Sequence, residues 1–510
     1  MITQSLLAAL PILAILIMML SLRWTAARAG SIGLALSLLV AISVFGYGRT
    51  VLPELGVLGA AGGGLLEAAF IAFTILWIVF PALCIHELQQ SSGALQRLRD
   101  AIGSLSADPR ITAMLIAWFF ALFMEGAAGF GTAAALAAPF LVSMGFGRIE
   151  AVTIVLIGHS IGVSFGAVGT PLIPLAAASP FTAFELSASV ARYHAVLGIF
   201  MACTTMWLIC RALPEQLGRG IWWWALAAGL LFLIPYYLIA ATLGPELPTL
   251  GGAILGVTGF IALLLMTRQR PVRGDIRPRN HLWSAAAPYL ILVLLVLITR
   301  LVEPLQTALT GLILQWRFSN FGGQVAWLYH PGTLLFLSFF LSAWCQRGLM
   351  KDTRVADEVL NAMRRALKRL APVSLALLVM LGLSRIMVHA GMIETLAISA
   401  AASTGGAWPV VAPFVGVLGS FITGSATASN ILFTEFQQSS AERLGLSAYT
   451  LLGAQGFGAA VGNIVAPHNI IAASATVGLA GKEGAVLRRT IPIMLIYTGL
   501  GGLLALSLGL

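Results

Sequence analysis

Apolar residues along this chain neither alternate nor recur as narrow stripes. They run on unbroken over stretches close to the about 20 residues that an α-helix needs to cross a bilayer, from Leu6–Leu22 at one end to Ile491–Leu510 at the other. Roughly 12 to 14 such stretches follow one another. A membrane barrel would instead alternate over strands of about ten residues. Lipid allows no third solution, because every backbone polar group must be satisfied within the protein. The pattern predicts an all-α polytopic membrane protein of about 12–14 transmembrane segments. The first stretch lacks a basic leader and an A-x-A cleavage pattern, so it is expected to stay as the first transmembrane helix, with the N-terminus outside or very short.

The pattern also repeats itself. Shifted by 298 residues, Ser92–Gly126 falls on Ala390–Gly424 without a gap, matching Gly93 to Gly391, Leu98 to Leu396 and Gly126 to Gly424. After a short slip, Gly162, Gly166 and Pro171 fall on Gly458, Gly462 and Pro467 at an offset of 296. Each copy holds a span, a short amphipathic stretch, a span interrupted by small residues and a Gly-rich broken segment ending in Pro. The connector of the first copy carries Arg97, Arg99 and Arg110, whereas its counterpart Thr395–Trp408 has no basic residue. Cations mark cytoplasmic loops, so the copies are expected to sit in opposite orientations, the inverted-topology repeat of secondary transporters. The expected division is N-terminal helices at 1–64, a first transport repeat at 65–180, scaffold helices at 181–350, an inverted second repeat at 351–485 and a last helix at 486–510. Within the scaffold, Gln315–Pro331 has the aromatic and polar content of an external interfacial loop.

Composition agrees. Hydrophobic residues make up 59% of the 510 and charged ones 9%, and mean hydropathy is +0.95, against roughly 25% charged residues in a soluble domain. The net charge of +10 would suggest nucleic-acid binding in a soluble protein. Here the cations collect in short loops: Arg23 and Arg28; Arg97, Arg99 and Arg110; Arg211 and Arg219; Arg268, Arg270, Arg273, Arg277 and Arg279; and Lys351, Arg354, Arg364, Arg365, Lys368 and Arg369. They report topology, so nucleic acid is not an expected partner. Cys84, Cys203, Cys210 and Cys345 lie in or beside apolar runs without C-x-x-C spacing, so no metal site and no cofactor are expected.

Two segments place small residues at membrane depth: Met124–Gly131 and Thr423–Asn430. Each follows about a dozen apolar residues, which at 1.5 Å per residue puts the break roughly 20 Å into the bilayer. A half-helix starting after such a break aims free N–H groups and a positive dipole end at the gap, a receptor for a carboxylate. Close helix packing through small residues is the alternative, but it gives no role to the polar groups present. Gly126, Gly129, Gly131, Thr132, Thr423, Ser425, Thr427, Ser429 and Asn430 are therefore candidate substrate-binding residues. Glu125 is the sharpest residue, since a carboxyl at that depth is costly unless protonated or paired. It is the first candidate for proton coupling, against a purely structural hydrogen bond. The later broken segments add His159 and His468, imidazoles able to titrate near neutral pH, and Ser160, Ser164, Thr170, Asn463 and Asn469 as uncharged partners for the ligand. Arg385, within Ala371–Ala390, could hold a carboxylate with two N–H groups or simply snorkel to the outer surface.

These motifs resemble those of the lactate permease family. Glu125-Gly-Ala-Ala-Gly-Phe-Gly131 is similar to its E-G-A-A-G-F-G, Phe165-Gly-Ala-Val-Gly-Thr-Pro171 to F-G-A-M-G-I-P, Leu243-Gly-Pro-Glu-Leu-Pro248 to I-G-P-E-L-P, Thr423–Asn430 to T-G-S-D-T-S-S-N, and Val477–Glu483 to V-G-L-V-G-K-E. The similarity runs in order along nearly the whole chain. It implies a secondary transporter of the bacterial inner membrane that imports lactate, glycolate or a related small carboxylate with protons. The chain departs from the pattern at Ala426, where the family has an acid, at Asn463, where it has a lysine, at His159-Ser160, where it has Asn-Thr, and at His468, where it has Gln. It adds Arg385 and Glu435 where the pattern is uncharged. One acid–base pair would thus have moved, with Arg385 receiving the substrate carboxylate.

Two other classes fit less well. An anion channel could be lined by the same Gly-rich helices but gives Glu125 no evident role. An intramembrane enzyme lacks its motifs, since His86-Glu87 has no second His at H-E-x-x-H spacing and there is no G-x-S-x-G.

Overall fold

A computed structural model describes the chain except residues 1, 21, 23, 104, 107, 130, 214–220, 268–281, 351–353, 480–481 and 510. At further positions, Thr132 and His468 among them, only the backbone is described. The whole predicted basic loop, Arg268–Arg279, lies outside the described residues, as do Arg23, Arg219 and Lys351.

The chain opens with α1 (Ile2–Leu20), α2 (Ala26–Ser43) and the long α3 (Gly56–Ser91). A short amphipathic α4 (Ala94–Gly103) precedes one span made of α5 (Pro109–Met114), a wider π-turn at Leu115–Phe120 and α6 (Ala121–Ala127). After a break come α7 (Thr132–Ser143), α8 (Arg148–Gly158), the four-residue α9 (Gly166–Gly169) and α10 (Leu172–Ala177). The middle of the chain forms α11 (Ala183–Ala212), α12 (Ile221–Thr242), α13 (Pro248–Met266), α14 (Leu282–Leu301), α15 (Glu303–Thr310), a hairpin of β1 (Ile313–Phe318) and β2 (Phe321–Ala326), and α16 (Pro331–Cys345). The last part repeats the order of the first: long α17 (Val355–His389), α18 (Met392–Thr404), α19 (Trp408–Thr423), a break, α20 (Ala426–Leu444), α21 (Ala448–Gly462), α22 (Pro467–Thr476), then α23 (Glu483–Gly509). Because α3 begins at Gly56 and α23 at Glu483, the expected divisions at 64/65 and 485/486 fall inside helices.

Among the described residues, nine helices are long and apolar enough to span a bilayer, and ten if the bent segment Arg148–Gly169 is one span. Four shorter apolar helices accompany them. The sequence pattern predicted 12–14 spans by hydropathy alone; part of that count consists of these short pieces, which broken helices divide. The apolar window of the α5–α6 span is 89% buried, that of α23 only 33%, so the first lies inside protein and the second faces lipid. Trp118, Phe119 and Phe120 of this inner span anchor the largest core together with Phe232, Phe260, Phe457 and Tyr497. The region read as an external loop contains the hairpin. Its register pairs Phe318 with Phe321 across a two-residue turn in which Ser319 takes φ +49°. Aromatic and polar residues alternate along Gln315–Phe318, the period of a strand, which a reading for interfacial composition passes over.

The two long helices run antiparallel against each other. Glu67, early in α3, faces Arg385, late in α17, at 3.9 Å. Glu87, late in α3, meets Arg365 and Arg369, early in α17, at 3.1 and 3.0 Å. At the offset that aligns the repeats, Glu67 corresponds to Arg365 and Glu87 to Arg385, so the two contacts are reciprocal. Elsewhere the copies also cross: α7 packs on α22, and α20 on α10.

At the mouth of the inner span, Asp108 caps α5, accepting from the Arg110 N–H at 2.9 Å and pairing with its guanidinium at 2.8 Å. Burial opposes ionisation there, but the hydrogen bonds and charge of Arg110 outweigh it and hold the carboxyl below its usual range. Asp108→Ala is expected to lower stability by about 1 kcal/mol, read as a lower Tm in detergent. Because the carboxyl is held low, the contribution is in place at neutral pH and fades as pH falls through the lowered value. The Tm gap to Asp108→Ala should therefore close in acid.

Candidate functional site

Each repeat breaks twice, and the sequence at each break explains how. The α6 helix ends with Gly129 N–H bonding to Glu125 C=O at 3.0 Å, and Gly129 and Gly131 take φ +58° and +75° before α7 starts. Glycine enters this left-handed region without a Cβ penalty. In the second repeat, Gly424 at φ +70° ends α19, and the Ser425 hydroxyl caps α20 by accepting from Ala428 N–H at 3.3 Å. The later break of the first repeat runs from His159 through a tight turn at Ser160–Phe165 into three consecutive left-handed residues, Ala167 (φ 43°), Val168 (φ 56°) and Gly169 (φ 78°). Val168, β-branched, is an outlier there. The Thr170 hydroxyl ties the turn by donating to Ala167 C=O at 2.6 Å. In the second repeat, Asn463–Ala466 separates α21 from α22.

These four breaks converge. A Cβ added to Gly129 would stand 3.0 Å from Ala167, and one added to Gly166 would stand 2.5 Å from Glu125 Oε1, so the Glu125 carboxyl lies directly over the second break. Its other oxygen is 3.9 Å from His159 Nε2, while His159 Nδ1–H donates to Val155 C=O at 2.6 Å. Gly131, at the start of α7, faces the Asn469 side chain, which is hydrogen-bonded to Asn463. Asn430 Nδ2 donates to Pro171 C=O at 2.9 Å. Val163 packs on Ala426, Ala459 and Ala460. Gly126 fits against the Leu250 backbone, with no room for a side chain.

The lining divides into two sides. Glu125 (4% exposed), His159 (2%), Ser160, Ser164, Thr170, Thr427, Ser429 and Asn430 are buried. Gly131, Thr423, Ser425 and Asn463 are half-exposed and form the approachable side. Several hydroxyls are committed to the scaffold. Ser160 donates to Ile157 C=O at 2.8 Å, Ser429 to Gly416 C=O at 2.8 Å and Thr423 to Gly419 C=O at 2.8 Å. What stays open toward the half-exposed side is the uncapped first turn of α7 beside the Asn463–Asn469 pair, and the first turn of α20. Thr132 falls on the first turn of α7 and His468 on that of α22, both with side chains outside the described residues.

Arg385 lies outside the breaks, on α17. It is buried, not snorkelling, because partners reach it: Glu435 of α20 at 3.2 Å and Glu67 of α3 at 3.9 Å. Its neighbour Ser384 donates to Ile431 C=O, one residue beyond Asn430.

The sequence reading missed three supports. His194 of α11 links Ser164 to the Tyr497 hydroxyl, at 3.0 Å on each side. Gln455 binds the Ser429 hydroxyl and Asn430, and Gln437 holds Gln455. Glu67 and His389 pair at 2.7 Å. In each the partners sit on separate helices, so no local pattern flags them. Among the described residues there is no group of three His, Cys, Asp or Glu side chains able to hold a metal.

A family model for L-lactate permeases matches residues 4–322 and 320–508. An L-lactate permease of Streptococcus iniae is 30% identical, the match covering 88% of this chain and 92% of that protein. Glycolate permease GlcA of Escherichia coli K12 is 27% identical over 99% and 95%. The solved structure of the Alcanivorax borkumensis YdaH transporter shares the fold, with a TM-score of 0.54 and 15% identity over 94% of this chain and 97% of that one. With its apolar helices and broken-helix core, the chain belongs to the L-lactate permease family, a multi-pass bacterial membrane protein that is a transporter and not an enzyme.

Proposed function

We propose that this protein imports lactate, glycolate or a related small 2-hydroxy carboxylate together with protons, at a site between the converging helix breaks. The observation that carries this reading is the placement of Glu125, buried against His159 and the second break, within the same cluster of breaks that presents a half-exposed face of helix N-termini, hydroxyls and amides. The uncapped N-terminus of α7 offers free N–H groups, and both α7 and the Ser425-capped α20 present a positive dipole end, to the substrate carboxylate. Asn463, Asn469, Thr423 and Ser425 surround the space a 2-hydroxyl would occupy. Since Arg385 is already matched to two carboxylates, the helix ends take the anion in this proposal. Glu125 and His159 together hold the coupled proton. The names of the relatives support the substrate class. The crossed packing of α7 with α22 and α20 with α10 supports an inverted pair of repeats that exchange access by moving against the rest. A channel would have no need of an acid buried among the breaks.

Two experiments in proteoliposomes test this. An inward proton gradient is expected to drive uptake of labelled lactate or glycolate in the wild type, and Glu125→Gln is expected to lose that stimulation tenfold or more while keeping counterflow exchange. Gradient response retained by the variant would remove Glu125 from the coupling step, and transport of neither acid would remove the substrate class. Gly166→Ala tests the geometry. The backbone there (φ −63°, ψ 153°) suits any residue, so the added methyl acts only on the Glu125 carboxyl. Gradient-driven uptake should fall at least tenfold with unchanged expression and Tm.

A further inference from the structure

The reciprocal contacts of α3 and α17 are matched in position but not in charge. At one end, Glu87 and Glu358 meet two permanent cations, Arg365 and Arg369, and Ser91 donates to Glu358 at 2.6 Å. At the other end, Glu67 and Glu435 meet one permanent cation, Arg385, with His389 Nε2 2.7 Å from Glu67. The first end closes its account without a proton. The second carries a net negative charge unless one proton is added, since a guanidinium holds its own proton at any working pH. That charge is largely enclosed: the side chains are 8% exposed at Arg385, 15% at Glu67, 20% at His389 and 22% at Glu435, whereas the cations of the first end, Arg365 and Arg369, stand 41% and 50% exposed. An unbalanced charge so enclosed within spanning helices is expensive.

Arg385 does not close the gap by geometry. One N–H reaches Glu435 at 3.2 Å, the approach to Glu67 is a long 3.9 Å, and its Nε is buried without a partner. His389, by contrast, sits on Glu67 at the distance of a charge-assisted hydrogen bond. Among the described residues, the Tyr47 hydroxyl, committed to Ala60 C=O, and the edge of Phe321 from β2, 4.6 Å from the His389 ring, also face the cluster and are uncharged. We infer that Glu67, His389, Arg385 and Glu435 form a second proton-binding site, distinct from Glu125, that holds one proton shared between His389 and the two carboxylates. Glu435 rides on α20, whose first turn is a wall of the proposed transport site, whereas the other three sit on the long helices. Occupancy by the proton therefore sets the charge across the joint between a broken helix and its support.

The test is infrared titration of the full-length protein in lipid, which reads protonated carboxyl and imidazolium directly and does not depend on substrate or on the role of Glu125. Wild type minus Glu67→Gln should show the loss of about one titrating proton per chain, because a single acid beside Arg385 is neutral without it. His389→Gln should shift the proton onto a carboxyl, moving the signal from imidazolium to a protonated acid. Glu125→Gln and Glu87→Gln should both leave this titration in place. Identical proton counts in wild type, Glu67→Gln and His389→Gln, or the same loss in Glu87→Gln, would overturn the assignment. Should Glu67→Gln fail to fold, Glu435→Gln removes the surplus acid from the opposite helix and is read in the same way.

Discussion

Inside the hydrocarbon core there is no water to satisfy a backbone group that its own helix has released. Every feature of the central site follows from that constraint. Four helix breaks each free several N–H and C=O groups, and they are tolerable only where another part of the chain supplies partners. Asn430 answers Pro171, Thr249 answers Gly162 at 2.8 Å, and Tyr236 answers Ile161 at 3.3 Å. The breaks gather in one place because each helps to enclose the others. The same enclosure leaves two helix N-termini facing a half-exposed space.

Small residues make the gathering possible. A Cβ on Gly416 would lie 2.5 Å from Gln455 C=O and one on Gly462 2.6 Å from Val417 C=O, so α19 and α21 touch backbone to backbone. Such contact lets helices pack through dispersion where lipid offers no hydrophobic drive. It also explains why polar side chains stand beside them: Gln437 and Gln455 bind backbone and one another in the same layer. Core aromatics do the complementary work, with Phe232, Tyr236 and Phe457 filling the space around His194.

Much of this was legible in the sequence. Continuous apolar runs gave the class, the glycine pattern gave the breaks, and the copies could be aligned through Gly126 and Gly424. What could not be read was lateral. Whether a hydropathic run lies in lipid or among other helices is not written in the run itself, and the α5–α6 span is no more apolar than α23. Glu67 as a partner of Arg385 was invisible because it is more than three hundred positions away in the chain. His194 looked like an isolated histidine. The hairpin at Ile313–Ala326 hid in a segment whose aromatic content has two explanations, interface and strand.

The reciprocal pairing of α3 with α17 carries one more consequence. Both acids, Glu67 and Glu87, belong to the first half of the chain, and both corresponding bases, Arg365 and Arg385, to the second. Two copies of α3 meeting in the same way would set Glu67 against Glu87, and two copies of α17 would set Arg365 against Arg385. Each half thus repels its own kind and attracts the other, a discrimination built on like-charge penalties rather than on added attraction. A chain that began as identical units could assemble by symmetry alone. This one has divided the charges so that its halves are no longer interchangeable.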